Sequence, residues 1–179
     1  MKDLHSLLGQ PLSSKAVKTF VAATAMKIAL PAPDDDEDVI AAGNEARGAH
    51  MELVRARDYN DEFATRASTK RLDEWVVQEV GLYSKGANTK STREYRDELP
   101  FGLVFGDGAE TIITKVGKKP SSKEPGHEKH HSWWFRIGQM KLLTTLDPKL
   151  KLRWLRVVPL DRETAERLAR KAAAAKKPR

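Results

Sequence analysis

The sequence of 179 residues contains no cysteine. That excludes disulfides, thiolate nucleophiles and cysteine-ligated zinc or iron–sulfur centres. No apolar run approaches the roughly 20 residues that a membrane-spanning helix needs. The opening Met1-Lys2-Asp3-Leu4-His5 lacks the basic, apolar, small-residue order of a secretory signal. A cytoplasmic chain with no membrane partner is the expectation. Catalytic signatures are missing too. There is no Gly-x-Ser-x-Gly elbow and no Gly-x-x-x-x-Gly-Lys phosphate loop. Asp73 and Glu74 are adjacent in an extended stretch, so they point to opposite faces and cannot share acid–base work. The sequence therefore predicts a protein that is not an enzyme and holds no cofactor.

What is present is charge, unevenly spread. The whole chain carries +7; residues 1–90 sum to −2 and residues 91–179 to +9. Excess positive charge attracts nucleic acid, anionic lipid or an acidic protein surface, and part of it lies in the last nineteen residues. Five adjacent carboxylates close the stretch Pro31–Asp38. They lack the alternating ligands and internal glycine of a calcium loop and read as a solvated acidic loop. His127, His130 and His131 are close in sequence, but Pro125 and Gly126 mark a loop and no further His or Cys completes a ligand set. No metal site is expected there.

Local patterns order the elements. Ser13 or Ser14 can cap a helix whose positions Val17, Phe20, Val21 and Thr24 recur at helical spacing. Ala49–Arg57 and Leu72–Tyr83 read as strands. In the second, Val76, Val80 and Leu82 share one face, with Trp75, Val77, Glu79 and Tyr83 on the other. Ser84–Glu98 is a polar connector. Asp107 with Glu110 forms a capping box for a helix ending at Val116, stopped by Gly117 and Pro120. After a polar loop, Trp133–Ile137, Met140–Leu146 and Leu150–Val158 read as strands joined at Gly138-Gln139 and Asp147-Pro148-Lys149. Asp161, with Thr164 three residues on, caps a last helix anchored mainly by Leu168.

This order predicts an α+β fold: an antiparallel sheet with helices packed on one face, in two divergent helix-plus-strands halves, about 1–90 and 91–160. Residues 161–179 form a basic helical or partly disordered tail. Alternation along the last three strands sends Trp133, Phe135, Ile137, Met140, Leu142, Thr144, Leu150, Leu152 and Trp154 toward the helices. It leaves Trp134, Arg136, Lys141, Lys151 and Arg153 on the open face, together with Leu143, Thr145 and Leu155. Tryptophan and arginine often anchor interfaces, so those five are the candidate partner-binding residues.

The phrase Leu99-Pro-Phe-Gly-Leu-Val-Phe-Gly-Asp107, with Val116-Gly117-Lys-Lys-Pro120 after it and Leu8-Gly-Gln-Pro11, Val17 and Phe20 before it, resembles a family of small bacterial proteins. They are similar to immunity proteins encoded beside polymorphic, type VI-type antibacterial toxins. The helix-then-strands halves also resemble the beta-lactamase inhibitor protein. The resemblance implies a protein that binds and neutralises a cognate toxin by occluding or deforming its active site, and the basic candidate face predicts an acidic contact surface on that toxin. The basic second half leaves nucleic-acid binding as the alternative, and a toxin-loading adaptor or chaperone is a third reading.

Overall fold

Ser14 starts the first helix, α1 (Lys15–Thr24): its backbone is extended and its hydroxyl accepts from the Val17 amide. Val17, Phe20 and Thr24 form the buried stripe, and the helix ends with Ala25 in the left-handed conformation. The computed structural model describes residues 4–32, 37–125 and 130–175. His127 and most of the acidic run, residues 34–36, lie outside the described residues.

Among the described residues seven strands follow in one antiparallel sheet: β1 (Val39–Asn44), β2 (Ala49–Arg55), β3 (Trp75–Tyr83), β4 (Ser122–Pro125), β5 (His131–Ile137), β6 (Met140–Leu146) and β7 (Leu152–Pro159). Their spatial order is β1-β2-β3-β7-β6-β5-β4. Each half is thus a meander, and the two last strands, β3 and β7, pair at the centre. Only Val80–Tyr83 of β3 face β7. The first half of β3 is flanked instead by the chain at Gly9–Leu12, whose backbone bonds to Trp75 and Val77. The α+β class is as read from the sequence.

One face of the sheet carries the main core. Phe135, Leu142, Leu155 and Val157 are buried beside Phe20 of α1 and Ile112 of α3 (Ala109–Val116). Gly117 ends α3 in the left-handed conformation, which glycine tolerates without a Cβ clash. Among the described residues the last helix, α4 (Arg162–Ala175), begins where Asp161 accepts from the Thr164 amide at 2.7 Å.

Several boundaries differ from the pattern-based reading. The strand expected over Ala49–Arg57 stops at Arg55, and the chain turns into a short helix, α2 (Ala56–Glu62). Tyr59 and Phe63 pack with Val54 and Val76 in a second cluster on the sheet's other face. Two strands went unread, β1 and β4. Both are edge strands, β1 rich in Ala and Gly and β4 polar, so neither shows strong β-propensity. Asp107 does not cap α3; Gly108 occupies that position, and Asp107 accepts from the Val104 amide and the Lys115 ammonium instead.

Two bulges re-phase the strands. Opposite Glu52 and Leu53, the partners jump from Glu79 to Val77, leaving Gln78 over. Trp75 and Val77 therefore join Val80 and Leu82 in the main core, while Val76 turns to the other face. Opposite Thr145 and Leu146, the partners jump from Trp154 to Leu152, leaving Arg153 over. Leu155 is buried, where alternation placed it outside, and Trp154 lies on the open face, where alternation placed it inside.

Candidate functional site on the open face of the sheet

The open face is built in rows across paired strands. One row runs His50, Gly81, Arg156, Leu143, Trp134 and Ser122, crossing six strands through direct cross-strand pairs. The next row holds Tyr83, Trp154, Thr145, Ser132 and Glu124. Aromatic and cationic side chains dominate the middle of this surface.

Its centre is a connected network. His50 Nε2 lies 2.8 Å from Glu79 Oε1, and Arg156 donates to Glu79 Oε2 at 3.4 Å. The Arg156 guanidinium sits 4.7 Å from the Trp154 ring centroid, a cation–π distance. Trp154 packs against Tyr83 with centroids 5.0 Å apart, and Tyr83 against His50 at 5.3 Å. Burial, then the Glu79 charge, push the Tyr83 phenol up to about 12, so it stays protonated at neutral pH. Gly81 makes the packing of His50 possible: a Cβ there would come within 1.9 Å of the imidazole. Three buried polar atoms here have no hydrogen-bond partner among the described residues, His50 Nδ1, Trp154 Nε1 and Arg156 Nε. Unpaired buried polar groups are costly, and each calls for an explanation.

Beside this network the loop after β3 forms one wall of a cleft of about 490 Å³. Lys90, Arg153, Trp154 and Arg156 line it together with Ser132 and Thr145. Among the described residues, none of its lining side chains is acidic. The loop is held by hydrogen bonds from Gly86 N–H to Thr92 O and from Thr89 N–H to the Thr92 hydroxyl.

The five residues read from the sequence as a binding face are only partly brought together. Trp134 and Lys141 meet, with the ammonium 5.6 Å from the ring centroid. Lys141 also forms an ion pair with Asp161 at the start of α4. Desolvation pushes the Asp161 carboxyl up, but hydrogen bonds from Lys141 and Thr164 outweigh it and hold the group well below the usual carboxylate range. Arg136 stands directly opposite Lys141, exposed, with Nε donating to the Gly138 carbonyl at 3.3 Å. Arg153, the extra residue of its bulge, reaches the cleft and donates to the Lys85 carbonyl at 2.7 Å. Lys151 stands apart, its ammonium beside Gly108 at the start of α3.

His50, Glu52, Glu79, Tyr83 and Arg156 were not singled out from the sequence. A signal was available: two acidic residues inside strands otherwise rich in Val, Leu and Met. Buried charge within a strand demands partners.

No family model matches the chain, and neither does any curated protein. Among solved structures, it is similar to a DUF4309 family protein (YjgB) from Bacillus subtilis subsp. subtilis str. 168, at 10% identity and a TM-score of 0.40, covering 79% of this chain and 76% of that one. A likeness that faint carries no argument about function. Among the described residues no helix is long and apolar enough to cross a membrane.

Proposed function

We propose that this chain is a binding protein whose open sheet face seizes an acidic surface of a partner protein. In its specific form it is an immunity protein that neutralises a cognate toxin by occluding or deforming its active site, without catalysis of its own. The observation that carries the reading is the cleft: Lys90, Arg153 and Arg156 line it beside Trp154, and among the described residues no lining side chain is acidic, the Glu79 carboxylate that pairs with Arg156 lying outside the lining. A partner's Asp or Glu entering it meets several cations and an aromatic wall at once.

Preorganisation supports the same reading. Arg156 is already held by Glu79 and stacked on Trp154, so binding costs little of its side-chain entropy. Tryptophan and arginine in partly desolvated settings are the residues that most often dominate interface energies. Elsewhere on the face, Lys141 is neutralised by Asp161, which breaks up the continuous cationic track that a nucleic-acid backbone follows.

The test is co-expression with the product of the neighbouring gene, read by co-purification and by rescue of growth. A stable complex and restored growth are expected. Lys90→Glu with Arg153→Glu should weaken the complex by roughly 100-fold or more, because two lost attractions become repulsions. Arg136→Glu, away from the cleft, should cost under about tenfold. Unchanged affinity in the double variant overturns the cleft as the docking site. Co-purifying nucleic acid, with affinity falling steeply with salt, replaces the protein partner with a nucleic-acid one.

A further inference from the structure

We propose that His50, Glu52 and Glu79 form a three-donor site for a divalent first-row metal ion, with zinc the ion to test first. One imidazole nitrogen and one oxygen from each carboxylate lie within 4.8 Å of one another. Nitrogen-plus-carboxylate sets suit zinc, manganese and cobalt, and three protein ligands leave a coordination position open.

The argument begins with a conflict in the sheet. Glu52 and Glu79 are direct cross-strand partners. Like charges in that relation repel, and Glu79 is buried. Something positive has to stand between them. Besides His50, the donors that bond the pair among the described residues are Arg156 and Gln78, and each occupies one oxygen of its carboxylate and leaves the other for a metal. Arg156 donates to Oε2 of Glu79 at 3.4 Å, and Gln78 donates to Oε2 of Glu52 at 3.2 Å. The other oxygen of Glu79, Oε1, lies 2.8 Å from His50 Nε2. Outer hydrogen bonds of this kind orient ligating carboxylates in metal sites.

The scaffold is rigid where ligands need rigidity. Two ligands come from β2 and one from β3, at the centre of the sheet rather than in a loop. The imidazole lies over Gly81, the one residue type that leaves room for it. Tetrahedral zinc bonds of about 2.0–2.2 Å hold ligand atoms about 3.3–3.6 Å apart, so a donor pair as wide as 4.8 Å must close by about 1.2–1.5 Å. Glu52, half-exposed, supplies that movement. The competing account is that His50 and Arg156 satisfy Glu79, and Gln78 satisfies Glu52, with no metal.

The experiment uses the full chain stripped with a chelator, then titrated with Zn²⁺ alone by calorimetry and with Co²⁺ by visible absorption. One saturable equivalent is expected, with a Co²⁺ d–d band and a rise in melting temperature on adding zinc. Glu52→Gln keeps the shape and the bond from Gln78 but removes a ligand charge; it should weaken zinc at least tenfold and abolish the thermal shift. His130→Gln with His131→Gln should leave both intact. His50→Ala is avoided because it opens a hole above Gly81. No saturable zinc binding, or equal binding by Glu52→Gln, overturns the site and leaves the ion-pair account standing.

Discussion

The two faces of the sheet are made by the same strands yet solve opposite problems. On the helix-covered face, β6 sends Met140, Leu142, Thr144 and Leu146 inward, every second residue, and all are buried. Stability there comes from apolar area removed from water, and Thr144 satisfies itself by donating to the Trp133 carbonyl. On the open face the same strand presents Lys141, Leu143 and Thr145, with Arg156 paired to Leu143, and the face continues across β3 and β2 to Glu79, Glu52 and His50. The difference teaches where stability and specificity reside. One face is tolerant of sequence so long as volume is kept; the other depends on particular atoms meeting.

The sharpest way to break that comparison is a pair of adjacent substitutions. Leu142→Ala, on the covered face, should cost about 2–5 kcal/mol in urea denaturation, through lost burial and a residual cavity. Leu143→Ala, one residue on and facing out, should cost under about 1 kcal/mol. Equal losses would mean that the open face is itself a core, covered in the native molecule by something else.

Gly81→Ala comes next. Its Cβ would meet the His50 ring, so a loss of about 1–3 kcal/mol is expected from overpacking. Combined with His50→Ala, the two losses should add to less than their sum, because each removes the other's obstacle or void. Strict additivity would show that the imidazole does not lie over Gly81.

The smallest effect concerns the Lys141–Asp161 pair. Asp161→Asn retains an acceptor for the helix start but removes the charge, and at neutral pH it should cost less than about 1 kcal/mol. The folded-state carboxyl lies below its unfolded value, so this contribution is fully present above the unfolded pKa and lost as pH falls toward the folded one. The gap between native protein and variant should therefore narrow below about pH 4. A gap that widens in acid would contradict the depressed carboxyl.

Short-range chemistry was readable at most helix ends and turns, Asp107 being an exception because its carboxylate is taken by Val104 and Lys115. Ser14, Gly117 and Asp161 each acted at the helix boundary that their side chain or lack of one implies. The β5–β6 hairpin turns at Gly138-Gln139 with Gly138 in the left-handed region. What failed was phase. Trp154 and Leu155 exchange faces because Arg153 is an extra residue opposite β6, and Trp75 and Val77 change company because Gln78 is an extra residue opposite β2. A bulge is a property of two strands together, so neither strand's own alternation announces it. Of the five proposed face residues, Trp134 and Lys141 touch, Arg153 reaches the cleft, Arg136 lies at the hairpin end and Lys151 stands beside α3.

By itself, then, the sequence determined the α+β class, the two helix-plus-strands halves in outline, most caps and turns, and a second half rich in positive charge. These follow from interactions within a few residues, where spacing and side-chain type suffice. Only the tertiary structure decided which strands became neighbours, and with them the open face's chemistry. His50, Glu79 and Arg156 come from three separate strands and meet only because β3 pairs with β2 on one side and β7 on the other. Contacts at such separation depend on how the whole sheet closes, and no local pattern encodes that.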